Sequence, residues 1–234
     1  LADYEVSKLM WMGIVIALAM GVFTIAQPQI NTLANSTFGQ ISSITNGIGK
    51  SDNISPSNPN KINPDDAKWV EKGDWGSNGK FVVDKDGNAV IYAIDTSKPI
   101  VFHTMADENA KLPDTLTTLT FQDKVQGDTN SSMDRAFTDT LDHTFTNLKT
   151  INNLDTNVDT SNVTNMRLMF YKSKLTTVGD LSKWNTSKVT YMDSMFENSK
   201  LTSVGDLSQW NTSKVTNMGY MFTDSKLTSV GDLS

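Results

Sequence analysis

The sequence predicts an α+β protein: a long N-terminal α-helix followed by a β-rich head that ends in a solenoid of 26-residue repeats. Three observations predict it. No charged residue occurs between Lys8 and Lys50. Short apolar runs punctuated by turn residues fill the middle of the chain. The last third writes the same framework three times. These shifts in composition place the helix at residues 1–50, a linker at 51–66, a β-rich cap at 67–150 and the repeats at 151–234.

The composition excludes several classes of function. A formal charge of −6 argues against the basic face of a nucleic-acid binder. The chain has no cysteine, which removes disulfides, thiolate metal sites and thiol nucleophiles together. Its two histidines, His103 and His143, stand forty residues apart without partner spacing, so no multi-histidine metal centre is expected. No nucleophile elbow, P-loop or dinucleotide fingerprint occurs in the sequence. The expectation is a non-enzyme with no cofactor and no bound metal.

The predicted helix comes first. Eighteen residues, Leu9 to Ala26, are almost wholly apolar, and as a helix they would run about 27 Å, close to a bilayer core. Leu9, Ile14, Ile16, Leu18 and Phe23 are their expected packing residues. Beyond Pro28, where a kink is expected, Ile30, Leu33, Phe38, Ile41, Ile44 and Ile48 recur among Asn, Thr, Ser and Gln as one amphipathic stripe. Continuous helix from Tyr4 to Ile48 would reach roughly 65–70 Å, longer than a small domain needs for its own core. A signal peptide would start basic and end at a small-residue cleavage site. This chain starts acidic, opens on leucine and continues its patterning past the apolar stretch, so it reads as already processed. A plain membrane anchor is the alternative.

A glutamate at position 5, about twenty apolar residues and an amphipathic second half resemble a type IV pilin over residues 1–49. That resemblance implies a segment held in the membrane before assembly and then packed against its copies in a helical filament. Glu5 falls on the family's glutamate, whose implied role is to pair with the amino terminus, Leu1, of a neighbouring subunit. A carboxylate in an apolar bundle is costly unless paired, and a free α-amino group is a natural partner. Leu1, Asp3 and the Tyr4-Glu5 order depart from the family's usual wording.

The linker at 51–66 holds three prolines and few apolar residues, too polar to bury and too proline-rich to be regular. In the cap, Lys80–Val83 and Ala89–Ile94 flank Asp84-Lys-Asp-Gly-Asn88, and Asp86-Gly87 predicts a hairpin turn. Asp84, Asp86 and Asn88 mimic the first ligands of a calcium loop, but Ala89 and Asp95 break that pattern, so a turn is expected. Further strands are expected at Ile100–His103 and Leu116–Phe121.

The repeats carry the clearest pattern. Thr160–Met166, Thr186–Met192 and Thr212–Met218 match at a period of 26, as do the Met-Phe pairs ending at Phe170, Phe196 and Phe222. Leu175, Leu201, Leu227, Trp184 and Trp210 complete the framework, which holds six of the eleven methionines. A period in the twenties indicates stacked units that cannot enclose a core singly. Met166, Met192 and Met218 are therefore expected as core filler with the Phe, Leu and Trp columns, and not as a ligand box. The Lys-Leu-Thr-Ser-Val-Gly-Asp-Leu segment is the expected strand, and Val-Thr-Asn-Met-x-x-Met-Phe a helical or 3₁₀ turn.

The wording Trp-Asn-Thr-Ser-Lys-Val-Thr-Asn-Met-x-x-Met-Phe resembles BspA-like (DUF285) surface proteins over residues 150–234. The resemblance implies a leucine-rich-repeat-like solenoid and extracellular display, with adhesion to a host or partner-cell surface. Ser199 and its equivalents stand where cysteine is common in that family. The repeat wording breaks off after Asp232-Leu-Ser234, so further repeats or a neighbouring subunit are expected to cover that end. The combined expectation is a pilin, the homo-oligomerising subunit of an extracellular filament. A membrane-anchored monomeric adhesin is the alternative.

Overall fold

The computed structural model describes residues 62–140 and 143–233. The first regular element is an antiparallel meander of β1 (Trp69–Asp74), β2 (Gly79–Asp84) and β3 (Asn88–Ala93). Its β2–β3 hairpin pairs Phe81 with Ile91 and Val83 with Ala89. The turn follows from its residues. Asp84 Oδ1 accepts the backbone N–H groups of Asp86 and Asn88, both at 2.9 Å, and Gly87 takes φ +80°. A Cβ on Gly87 would stand 2.6 Å from the Thr115 carbonyl oxygen, so only glycine fits.

Downstream lie β4 (Ile100–Thr104), a one-turn α1 (Met105–Asn109), β5 (Thr118–Phe121), β6 (Val125–Ser132), β7 (Asp139–Thr140), β8 (His143–Thr144) and β9 (Thr150–Asn152). After them come α2 (Leu154–Asn157), β10 (Val158–Asp159) and β11 (Val163–Asn165). One sheet has five strands in the order β1-β2-β3-β5-β9, and the pairs β3–β5 and β5–β9 are parallel. A second sheet is built around β6, with β4 along one side and β10 and β11 along the other, all parallel to it. β7 and β8 form a separate antiparallel ribbon.

Trp75, Phe102 and Phe121 fill the space between the two larger sheets, Trp75 lying 5.8 Å edge-on from Phe121. The Trp75 indole N–H donates to Asn109 Oδ1 (3.1 Å), and Asn109 Nδ2 donates to the Ala136 carbonyl (2.8 Å). A buried amide that is satisfied on both sides pins α1 to the start of the repeats.

These elements correct the expected fold class. Among the described residues the protein is β-rich, and its only α-helices are the short α1 and α2. No long helix occurs there, and residues 1–50, where one was expected, lie outside the described residues. The strands gather into separate sheets; they do not form the leucine-rich-repeat-like solenoid that was expected. The physical reason lies in the spacing of the buried residues. Leu175, Val178 and Leu181 turn inward at intervals of three, whereas a pleated strand buries every second residue. Gly179 and Gly205 take φ +86° and bend the chain into 3₁₀ turns at Leu181–Lys183 and Leu207–Gln209. The segment expected as the strand carries one parallel bridge, Thr177 to Thr150. Extended pairing is found as well in the Val-Thr-Asn segment expected to be helical: β11 in the first repeat and single parallel bridges at Tyr191 and Asn217 in the next two.

Candidate interaction surface

Successive repeats lie on one another like coins, and the contacts recur with the sequence. Met166 N–H donates to the Tyr191 carbonyl and Met192 N–H to the Asn217 carbonyl, both at 2.9 Å. Phe170 and Phe196 repeat the pattern, donating to the Met195 and Met221 carbonyls at 2.9 Å. Threonine adds a second donor at each step. The Thr190 backbone N–H (2.8 Å) and hydroxyl (3.0 Å) both reach the Thr164 carbonyl, and Thr216 does the same to Thr190.

Inside, the rings form columns. Phe137, Phe170, Phe196 and Phe222 stack with centroids 5.7, 5.4 and 5.7 Å apart, and Trp184 stacks on Trp210 at 6.4 Å. Of the residues expected in the repeat core, Met166, Phe170, Leu175, Trp184, Met192, Phe196, Leu201 and Trp210 are buried. Met218, Phe222 and Leu227 are partly buried against them. Ser173, Ser199 and Ser225 accept the backbone N–H of Leu175, Leu201 and Leu227 at 3.1–3.3 Å, a task suited to a hydroxyl oxygen and poorly to sulfur. Leu1, Glu5 and the packing residues expected from Leu9 through Ile48 lie outside the described residues.

Two features escaped the sequence reading. The stack begins earlier than residue 151, because Phe137 is its first ring. The signal was present: Met133-Asp-Arg-Ala-Phe137 matches Met166-Arg-Leu-Met-Phe170, but at an offset of 33 in place of 26. The second is a charged column running across the stack. Arg167 Nε donates to Asp193 Oδ2 (2.8 Å), and Arg135 contacts Asp134 Oδ2 (3.1 Å). Burial pushes the Asp134 carboxyl above its usual range, Arg135 and Arg167 oppose that shift, and Asp193 adds to it. One oxygen of each aspartate, Asp134 Oδ1 and Asp193 Oδ1, is buried without a hydrogen-bond partner.

The other polar candidates are local. Asp84 is committed to its turn: desolvation, the largest single influence, raises its carboxyl, but the hydrogen bonds from Asn88 and Asp86 together outweigh it and hold the carboxyl below the usual range. His103 is exposed on β4 with Nδ1 2.8 Å from Asp128 Oδ1, and His143 lies in the short β8. Among the described residues, no group of three or more His, Asp or Glu side chains could hold a metal ion. No helix of the described residues is long and apolar enough to cross a membrane. What the stack offers chemically is a polar surface whose rows repeat at roughly 4.8 Å, the spacing of paired chains.

Residues 131–230 match a protein-family model described as "Mycoplasma protein of unknown function, DUF285". The match covers 100 of the 234 residues and begins six residues before Phe137, the first ring of the Phe column. No curated protein and no solved structure matches the chain.

Proposed function

We propose that this chain is a structural subunit of an extracellular pilus-like filament, which polymerises through its apolar N-terminal segment and displays the repeats for adhesion. The observation that carries the adhesive part is the stack itself. The recurring apolar residues turn inward, and the same polar outer surface is shown again at each step. Such a surface suits recognition by many weak contacts, whose strength multiplies when subunits are held at high local density. The BspA-like character of the DUF285 match is compatible with display at a cell surface.

The filament part rests on the sequence of the first fifty residues. Forty-one uncharged residues, Leu9 to Gly49, would bury against their copies after leaving the membrane. Glu5 would pair with the Leu1 amine of a neighbour, relieving the cost of an isolated carboxylate. The partners of this reading are further copies of the chain, the membrane before assembly and a host or partner-cell surface. It includes no catalytic role, cofactor or nucleic acid.

A second reading, a membrane-anchored monomeric adhesin, uses the same repeats and is favoured by the bilayer length of Leu9–Ala26. The stripe from Ile30 to Ile48 separates the two, since a simple anchor does not need it. Electron microscopy of material sheared from cells decides between them. Ordered filaments that Glu5→Ala largely abolishes support the subunit, whereas dispersed, detergent-dependent particles support the anchor.

A further inference from the structure

The outer face of the repeats carries opposite charge along its two edges. Lys174, Lys200 and Lys226 recur at the 26-residue spacing, and so do Asp180, Asp206 and Asp232. Backbone bonds align both sets into columns. Lys200 and Lys226 donate to the Ser173 and Ser199 carbonyls at 3.1 and 3.3 Å, while Leu181 and Leu207, beside the acids, donate to Val204 and Val230 at 2.8 Å. Between the columns the side chains left outside are the exposed hydroxyls of Thr176, Thr177, Thr202, Ser203, Thr228 and Ser229.

Lys200 and Lys226 on one edge, and Asp180 and Asp206 on the other, form no ion pair among the described residues. Steps of roughly 4.8 Å place each charge within a Debye length of its like-charged neighbours. Lys174 is relieved by Asp139 at 3.2 Å. Asp180 and Asp206 each use Oδ1 to cap one backbone N–H, of Ser182 and Ser208, at 3.0 Å, and both stay exposed. None of the exposed large hydrophobic residues Val70, Ile94, Tyr191 and Tyr220 belongs to the segments 174–180, 200–206 and 226–232 that carry the columns.

We propose that this face pairs with the same face of a second copy of the chain. Symmetry fixes the orientation. A two-fold axis parallel to the stack lays the lysine column of each copy on the aspartate column of the other. A two-fold axis across the stack would set lysine on lysine. The two stacks therefore run parallel, with the hydroxyl rows meeting between the charged columns, Thr176 and Thr228 as acceptors because each already donates to a carbonyl of its own chain. With no apolar centre the contact is weak and salt-sensitive, and it involves the repeats alone, independent of any assembly through the N-terminal segment.

Sedimentation velocity of the full chain in non-ionic detergent tests the proposal. The expected result is a dimer at about 50 mM salt that dissociates at about 500 mM, where screening is much shorter-ranged. K200E/K226E should abolish association at both salt concentrations. D180N/D206N, which keeps the capping oxygen and so the fold, should weaken it at least tenfold. Mixing the two variants should restore part of it, because one pair of facing columns is again opposite in charge. Association that ignores salt, or a K200E/K226E chain that associates like the wild type, would overturn the pairing. Assembly through the N-terminal segment would behave in that second way, which separates the two interfaces.

Discussion

Phe196 lies between Phe170 and Phe222, its ring centroid 5.4 and 5.7 Å from theirs, with no exposed surface. Phe196→Ala empties the middle of the column, and a loss of about 3–5 kcal/mol in denaturant unfolding is expected, followed through the fluorescence of Trp184 and Trp210. Asp134 gives a residue-level pH effect. Its carboxyl is raised above the ordinary 3.8, chiefly by burial, so the folded chain holds that proton more tightly than the unfolded chain does. Stability should therefore fall as pH rises from 3.8 through the raised value, and Asp134→Asn should remove that part of the slope. Asp180 acts with the opposite sign. The Ser182 backbone and hydroxyl hold its carboxyl below 3.8, so its contribution is complete above 3.8 and is lost as pH falls through the lowered value. Thermal melts of wild type, Asp134→Asn and Asp180→Asn between about pH 2 and about pH 6 check both signs.

The 3₁₀ turn shows how one element depends on its neighbour. Gly205 sits at φ +86°, and a Cβ there would stand 1.9 Å from Asp180 Oδ1, the oxygen that caps the previous turn. Gly219, with ordinary φ, has only Asn217 Oδ1 nearby, at 3.2 Å. Gly205→Ala is expected to cost about 2 kcal/mol or more, through left-handed strain and loss of the cap, and Gly219→Ala less than about 1 kcal/mol. Paired urea titrations would show the contrast. The same elements show what was legible in the sequence. The β2–β3 hairpin was readable because Asp86-Gly87 supplies its turn and apolar runs flank it. The repeat strand was misplaced because Leu, Val and Gly have strand-like composition while their burial follows a period of three. The Asp134–Arg167–Asp193 column was illegible, because Asp134 belongs to a unit offset by 33 and the later step carries Gly219.

Across the whole stack, protection is expected to be graded. Met192, Phe196, Leu201, Val204 and Leu207 are buried, while their equivalents Met218, Phe222, Leu227, Val230 and Leu233 are only partly so. Stacked repeats open from the less covered side, because each unit is stabilised mainly by its neighbours. The amides of Met192, Ser194 and Phe196 donate into that less covered coil and should exchange hydrogen sooner than those of Met166, Leu168 and Phe170. Exchange followed by mass spectrometry over these two peptides checks the order, and equal rates would contradict it. The hydrogen bonds that link coils also bear on heredity. Because Met166 and Met192 hand the same donor to the same kind of acceptor, a whole coil can be duplicated or lost by unequal recombination without disturbing either joint. A gene built this way can lengthen or shorten its product in whole units, so reach would evolve by copy number more readily than by point mutation.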